Sequence, residues 1–244
     1  MELSLYTHAG QLPEAAAKGR HVVILDVLRA SSTIVHACEN GIERIIPVAE
    51  VEDATRLVST LDRKKTLLGG EREGVKIEGF DLGNSPLEYA SKKLKGKTLI
   101  FSTSNGTVAI AQSAPAREIL IGCFLNLSAV ASHLVSNRAK SVALLCAGNM
   151  GHLSLEDLVC GGHVIDRIVR SSRAKTDLND GAIAARSLAA CFEDVGEVVR
   201  GSSHGRRLAE LGFEADLEFC SKIDKYGIVP IVEDGRISRK SIAG

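Results

Sequence analysis

Six short stretches rich in β-branched and aliphatic residues punctuate the chain: 21–27 (HVVILDV), 43–48 (ERIIPV), 97–102 (KTLIFS), 117–121 (REILI), 140–146 (KSVALLC) and 227–232 (GIVPIV). They do not alternate apolar with polar positions, so they predict strands buried on both faces. Between them, 50–62, 105–113 and 127–138 carry helical spacing, and strands alternating with helices predict an α/β sheet. Ser85-Pro86-Leu87-Glu88 has the form of a helix start: Ser85 as cap, Pro86 at the first helical position, Glu88 completing a capping box, with Gly96 ending the helix. From about 154 to 222 the pattern turns mostly helical. Neither a Pro-rich nor a Gly/Ser-rich linker divides the chain, so residues 1–244 are expected to form a single α/β domain with a helix-rich C-terminal third.

Composition narrows the classes. Hydrophobic residues make up 45% and charged residues 25%, the balance of a globular domain rather than a disordered one. A chain of 244 residues buries enough surface to need neither disulfides nor a structural metal. Thirty Lys and Arg balance thirty Asp and Glu, which removes any global field for gathering nucleic acid or an anionic membrane. Aromatics at 4% with Trp absent argue against base stacking. The six scattered cysteines form no CxxC pair and predict buried thiols of a reducing compartment. MELSLYTHAG has no signal-peptide pattern and no apolar run reaches the length of a membrane span, so the expected location is cytoplasmic.

Ligands of open α/β sheets bind beyond the carboxyl ends of strands, so the residues following each predicted strand are the candidates for chemistry. After the first comes Asp26-Val27-Leu28-Arg29-Ala30-Ser31-Ser32-Thr33: a carboxylate, a guanidinium and three hydroxyls at a helix start, which suit an anion. The plainer alternative is that Ser31 caps the helix and Asp26 pairs with Arg29. Gly69-Gly70-Glu71-Arg72-Glu73-Gly74, continuing to Asp81 and Gly83-Asn84-Ser85-Pro86, reads as a loop whose paired glycines allow close approach to a ligand, or as a solvated surface loop. Ser102-Thr103-Ser104-Asn105-Gly106-Thr107 again runs from strand to helix with hydroxyls and amides suited to phosphate, but without the Lys of a P-loop. In the fourth segment, from Cys146 to Gly162, Ser154-x-x-Asp157 would cap a helix, while the adjacent Glu156 and Asp157 could equally bind a divalent ion. Ser202-Ser203-His204-Gly205-Arg206-Arg207 adds an arginine pair, either an oxyanion clamp or solvated helix charges. Cys38 and Arg44 fit the C-x5-R spacing of thiol phosphatases, but Glu39 and Glu43 inside the spacer would repel phosphate. Asp26 lacks the second Asp two residues on that a haloacid-dehalogenase nucleophile requires.

Taken in order, DVLRASSTI from Asp26, GGEREGVKIEGFDLGNSP from Gly69, TSNGT from Thr103, CAGNMGHLSLEDLVCGG from Cys146 and SSHGRRLAELGFEADLEFC from Ser202 resemble the 2-phosphosulfolactate phosphatase family. The resemblance covers about residues 20–235. It implies a three-layer α/β/α fold on a mainly parallel or mixed sheet. It also implies a Mg²⁺-dependent acid phosphatase converting 2-phospho-3-sulfolactate to 3-sulfolactate and phosphate, a step of coenzyme M formation. Such a substrate carries about four negative charges. With this reading, Asp26, Arg29, Glu71 and Asp157 are expected to be catalytic, and a subset of Asp26, Glu71, Asp81, Glu156 and Asp157 to hold Mg²⁺. Arg29, Ser31, Ser32, Thr33, Arg72, Ser104, Asn105, Gly106, Thr107, His204, Arg206 and Arg207 are expected to contact the small anionic phospho-acid. In-line attack by water without a covalent intermediate is the expected chemistry. The rivals are the same fold acting on another small phospho-acid, and a non-enzymatic anion-binding module. Nucleic acid and membranes are not expected partners; the oligomeric state is open, with a homo-oligomer among the options.

Overall fold

The computed structural model describes residues 1–173 and 175–239. In chain order the strands are β1 (Glu2–Tyr6), β2 (His21–Leu25), β3 (Arg44–Pro47), β4 (Thr66–Arg72), β5 (Val75–Lys76), β6 (Thr98–Ser102), β7 (Glu118–Gly122), β8 (Ser141–Cys146), β9 (Asp177–Leu178), β10 (Pro230–Glu233) and β11 (Arg236–Arg239). The α-helices are α1 (Glu14–Ala17), α2 (Ala30–Glu39), α3 (Val51–Ser59), α4 (Gly106–Gln112), α5 (Leu127–Ser136), α6 (Leu155–Ser171), α7 (Asp180–Ala189), α8 (Val195–Gly201), α9 (Ser203–Glu210) and α10 (Glu214–Cys220). Each of the six predicted strands and three predicted helices is present, with ends within a few residues.

All strands join one mixed, mostly parallel sheet in the order β5-β4-β6-β3-β11-β10-β7-β2-β8-β1-β9, with helices on both faces, a three-layer α/β/α architecture. The inner strand β2 is buried at every position, as its unbroken apolar run requires. Two parallel groups, β4-β6-β3 and β7-β2-β8-β1-β9, flank the β10–β11 hairpin. The pairings β3–β11, β11–β10 and β10–β7 are all antiparallel, and three reversals leave the two groups running in opposite senses. Five steps of right-handed twist separate β2 from β6, roughly 100–125° in total. That rotation turns the carboxyl end of β6 away from the far edge and back toward that of β2. In the helix-rich C-terminal third, α6 and α7 pack on β1, β2 and β8, while α8 to α10 pack on α6, on one another and on the 3₁₀ turn at Pro86–Ala90, before the chain returns to the middle of the sheet as the hairpin.

Three local expectations are corrected. The segment from Ser85 to Gly96 is not one α-helix but two 3₁₀ turns, Pro86–Ala90 and Lys92–Leu94. Ser85 makes no cap there: its hydroxyl donates to Asp216 (2.6 Å), and Glu88 accepts from the Gly83 amide rather than closing a capping box. Gly69 and Gly70 lie in β4, not in a loop, and what they approach closely is the neighbouring strand. A Cβ on Gly70, at φ +142°, would stand 1.9 Å from the carbonyl oxygen of Ser102 on β6. Five of the six cysteines are buried and all are free, but Cys191 is exposed. Among the described residues no helix is long and apolar enough to cross a membrane.

Candidate active site

The carboxyl ends of β2, β4, β6 and β8 meet the start of α9 around a pocket of about 710 Å³, within the range of small-molecule sites. Its lining includes Asp26, Leu28, Arg29, Glu71, Asn84, Ser104, Asn105, Asn149, His204 and Arg207. Asp26 follows the last residue of β2, and the turn after it contains a cis Leu28–Arg29 peptide. One Asp26 oxygen accepts the Ala30 amide (3.1 Å), and the other lies against Gly106, where any side chain would collide with it. Burial pushes the Asp26 carboxyl up to about 6, opposed by His204 and the Ala30 amide and reinforced by Glu71 and Glu156.

Behind Asp26 stands Asp157, in the first turn of α6. Ser154 does not cap this helix with its side chain, and Asp157 is turned toward the sheet instead. Its oxygens accept the amides of Val27 (2.8 Å) and Gly148 (3.3 Å), tying the turn after β2 to the turn after β8. Burial, and then the charges of Glu156 and Asp26, push its carboxyl well up despite those two amides. Glu156 is fully buried, and neither of its carboxylate oxygens has a hydrogen-bond partner. Burial works most strongly to raise Glu156, but His204, the Glu156 backbone amide and the Ser154 hydroxyl together outweigh it, and the carboxyl lies below its ordinary value. At 3.7 Å from Nδ1 to Oε1 this is an ion pair when His204 is protonated, rather than a hydrogen bond. Glu71, at the end of β4, accepts from the Ser104 amide and hydroxyl and from the Gly74 amide, joining the two loops beneath the pocket.

The buried Arg29 does not pair with Asp26. One η nitrogen donates to Asp216 on α10 (2.7 Å), the other to the carbonyl of Gly74 (2.6 Å), and its Cζ stands 4.0 Å from the centre of the Phe213 ring. Asn84 presents an amide whose oxygen is buried without a partner.

Comparison with known proteins now decides the family. The chain matches the profile of the "2-phosphosulpholactate phosphatase" family over residues 6–235. The chain belongs to this family. It is 41% identical over 236 residues to a protein of Caldanaerobacter subterraneus subsp. tengcongensis, covering 96% of this chain and 97% of that one. A Clostridium tetani relative is 40% identical, covering 97% of this chain and 100% of the relative. One from Thermotoga maritima is 42% identical, covering 91% and 93%. All three are described as "Probable 2-phosphosulfolactate phosphatase".

Among the residues expected from sequence, this family member brings Asp26, Arg29, Glu71, Ser104, Asn105, His204 and Arg207 to the pocket wall, with Glu156, Asp157 and Gly106 immediately behind it. Others are spent elsewhere. Ser31 accepts from the Asp26 amide, Ser32 donates to the Val27 carbonyl and Thr33 to that of Asn84, so these hydroxyls fasten α2 and do not face an anion. Thr107 closes on Thr103, and the amide of Ser104 is taken by Glu71. Arg72 binds the carbonyls of Glu71 and Ala49 and the Ser102 hydroxyl. Asp81 lies outside the acid group, bound to Arg63 and the Leu68 amide. Successive helical residues point about 100° apart. Arg207 therefore faces the pocket while Arg206 turns to Gly201 and Ser203. Asp216 and Asn84 were not singled out from sequence; an acid in an amphipathic helix reads as a surface charge, and no local pattern marks it otherwise.

No three His, Cys, Asp or Glu side chains among the described residues are already gathered as a metal cage. The donor set nevertheless fits a hard cation: the unpartnered oxygens of buried Glu156 stand near Asp26, itself flanked by Glu71 and Asp157.

Proposed function

We propose that this phosphoric monoester hydrolase removes phosphate from 2-phosphosulfolactate, giving 3-sulfolactate, by Mg²⁺-assisted attack of water at the pocket lined by Asp26 and backed by Glu156. The observation that carries the reading is Glu156: two buried carboxylate oxygens without partners, beside a second acid whose pKa is raised. Burying carboxylate oxygens that accept no close hydrogen bond is costly; His204 offsets part of that cost, and a bound cation would offset more.

Asp26 and Glu156 would hold the ion, with water completing its shell. When bound, it neutralises phosphoryl charge and makes water a better nucleophile. Asp157 fixes the two turns that carry these acids, and Glu71 fixes the loop beside them. Arg29 and Arg207 offer positive charge, and His204 a ring nitrogen, to the substrate, whose phosphate, sulfonate and carboxylate sum to about −4. Water adds to phosphorus in line as the ester P–O bond breaks, without a covalent enzyme intermediate. Cys38 takes no part: its thiol is buried and pushed up to about 12 by that burial, with little thiolate at neutral pH. The cytoplasmic setting and the place in coenzyme M formation belong to the same proposal.

A panel of small phospho-acids, assayed for phosphate release with and without Mg²⁺, tests the reading. Preferred turnover of 2-phosphosulfolactate, lost in chelator, is expected. Preference for a different phospho-acid would transfer the site to that substrate, and no turnover of any would leave an anion-binding module.

A further inference from the structure

Resting on that reading of the pocket, we infer that Asp216 is a positioning residue: it aims Arg29 at the acid groups of the substrate that do not react, and so sets the preference for a phospho-acid over a simple phosphate. Both side chains of the Arg29–Asp216 pair are only 2% exposed. A buried ion pair is a poor source of stability, because desolvation consumes most of the attraction. Its retention is better explained by what it does to the geometry of the guanidinium. Asp216 binds Arg29 through one oxygen (2.7 Å) and the Ser85 hydroxyl through the other (2.6 Å), so neither is free to face the pocket. Gly74 holds the second η nitrogen and Phe213 covers the guanidinium at 4.0 Å.

Three chain segments, the β4–β5 turn, the loop before Pro86 and α10, thus fix the plane of one guanidinium. A guanidinium has five N–H groups, and these contacts consume two of them. Arg29 also lines the pocket, so a remaining N–H that reaches the wall is a preorganised donor, suited to the planar fork of a carboxylate or to a sulfonate. The phosphoryl group, in the reading above, lies with the cation at Asp26 and Glu156. A fixed donor gains affinity because its ordering cost is met on folding.

Calorimetric titration of the full protein in Mg²⁺ with 3-sulfolactate, and separately with inorganic phosphate, tests this without requiring turnover. Asp216→Asn keeps the size of the side chain and an acceptor for Ser85 but loosens the grip on Arg29. Expected is a tenfold or greater loss of 3-sulfolactate affinity with phosphate affinity changed less than threefold, and partial rescue in Asp216→Glu. In turnover of 2-phosphosulfolactate the loss should appear in KM rather than kcat. Tighter binding of both anions would overturn the inference, since it would mean that Asp216 merely neutralises Arg29. Unchanged affinities would overturn it as well. If Asp216→Asn does not fold, Ser85→Ala carries the test: a threefold or greater loss for 3-sulfolactate alone is expected, and no loss refutes it. Failure of the wild type to hydrolyse 2-phosphosulfolactate while these affinities shift as expected would sink the substrate assignment and leave the positioning role standing.

Discussion

Replacing Asp26 with Asn should make the metal-free protein more stable while lowering its turnover more than tenfold. Asp26 is buried among Glu71, Glu156 and Asp157, and its pKa is raised from 3.8 to about 6. A carboxyl whose folded pKa is raised favours folding fully below its unfolded value and loses that contribution as pH rises through the folded value. At pH 8 the side chain is ionised in both states, and the shift corresponds to about 3 kcal/mol against folding; at pH 5 the same linkage gives about 1.5 kcal/mol. Asn titrates in neither state. It can still accept the Ala30 amide through Oδ1, and its amide nitrogen replaces the oxygen for which no hydrogen bond is seen. Urea unfolding in chelator should therefore show Asp26→Asn more stable than wild type by about 3 kcal/mol at pH 8 and about half that at pH 5. Turnover should fall more than tenfold, because a neutral amide is a weak ligand for a hard cation. A variant no more stable than wild type at pH 8, or a gain that does not grow with pH, would refute the assignment of Asp26 as a charge held at a cost for function.

Arg29→Lys should retain the positive partner for Asp216 but lose the fork, raising KM for 2-phosphosulfolactate at least tenfold with a smaller change in kcat. Arg29→Ala should instead destabilise by about 3–5 kcal/mol in urea titrations, because it strands Asp216 as a buried charge. Cys38→Ser should keep kcat per folded molecule within twofold, at a stability cost of about 1–3 kcal/mol for a buried hydroxyl; inactivity of the folded variant would restore a thiol mechanism. Gly70→Ala should cost at least about 2 kcal/mol, since its Cβ would overlap the Ser102 carbonyl, and a thermal melt indistinguishable from wild type would contradict the close β4–β6 approach.

What could be read from the chain was governed by how strongly each feature depends on local pattern. Strands buried on both faces, such as HVVIL in β2, announce themselves because no polar position interrupts them. TLLGGER does not, because Gly-Gly followed by charge has the composition of a loop; its pairing with β6 through Gly70 and with β5 beyond it makes it a strand. The acids after β2 and at the start of α6 were legible because ligands sit at strand ends. Hydroxyl partners were not, since Ser31, Ser32 and Thr33 have the same composition whether they face an anion or fasten a helix. Pairing of Arg29 with Asp216 spans 187 residues and depends on how α10 docks. The reversed half of the sheet likewise depends on where the last hairpin inserts, which no strand's own sequence records.

The central claim is the proposal that Glu156 and Asp26 would hold the cation that serves phosphate release. Phosphate release from 2-phosphosulfolactate, followed as Mg²⁺ is titrated into the chelator-treated protein, tests it most directly when wild type and Glu156→Gln are run side by side. Glu156→Gln is expected to need at least tenfold more Mg²⁺ for half-maximal activity, while wild type in excess chelator is silent. Full turnover of the wild type in chelator, or identical Mg²⁺ dependence of the two proteins, would contradict the account.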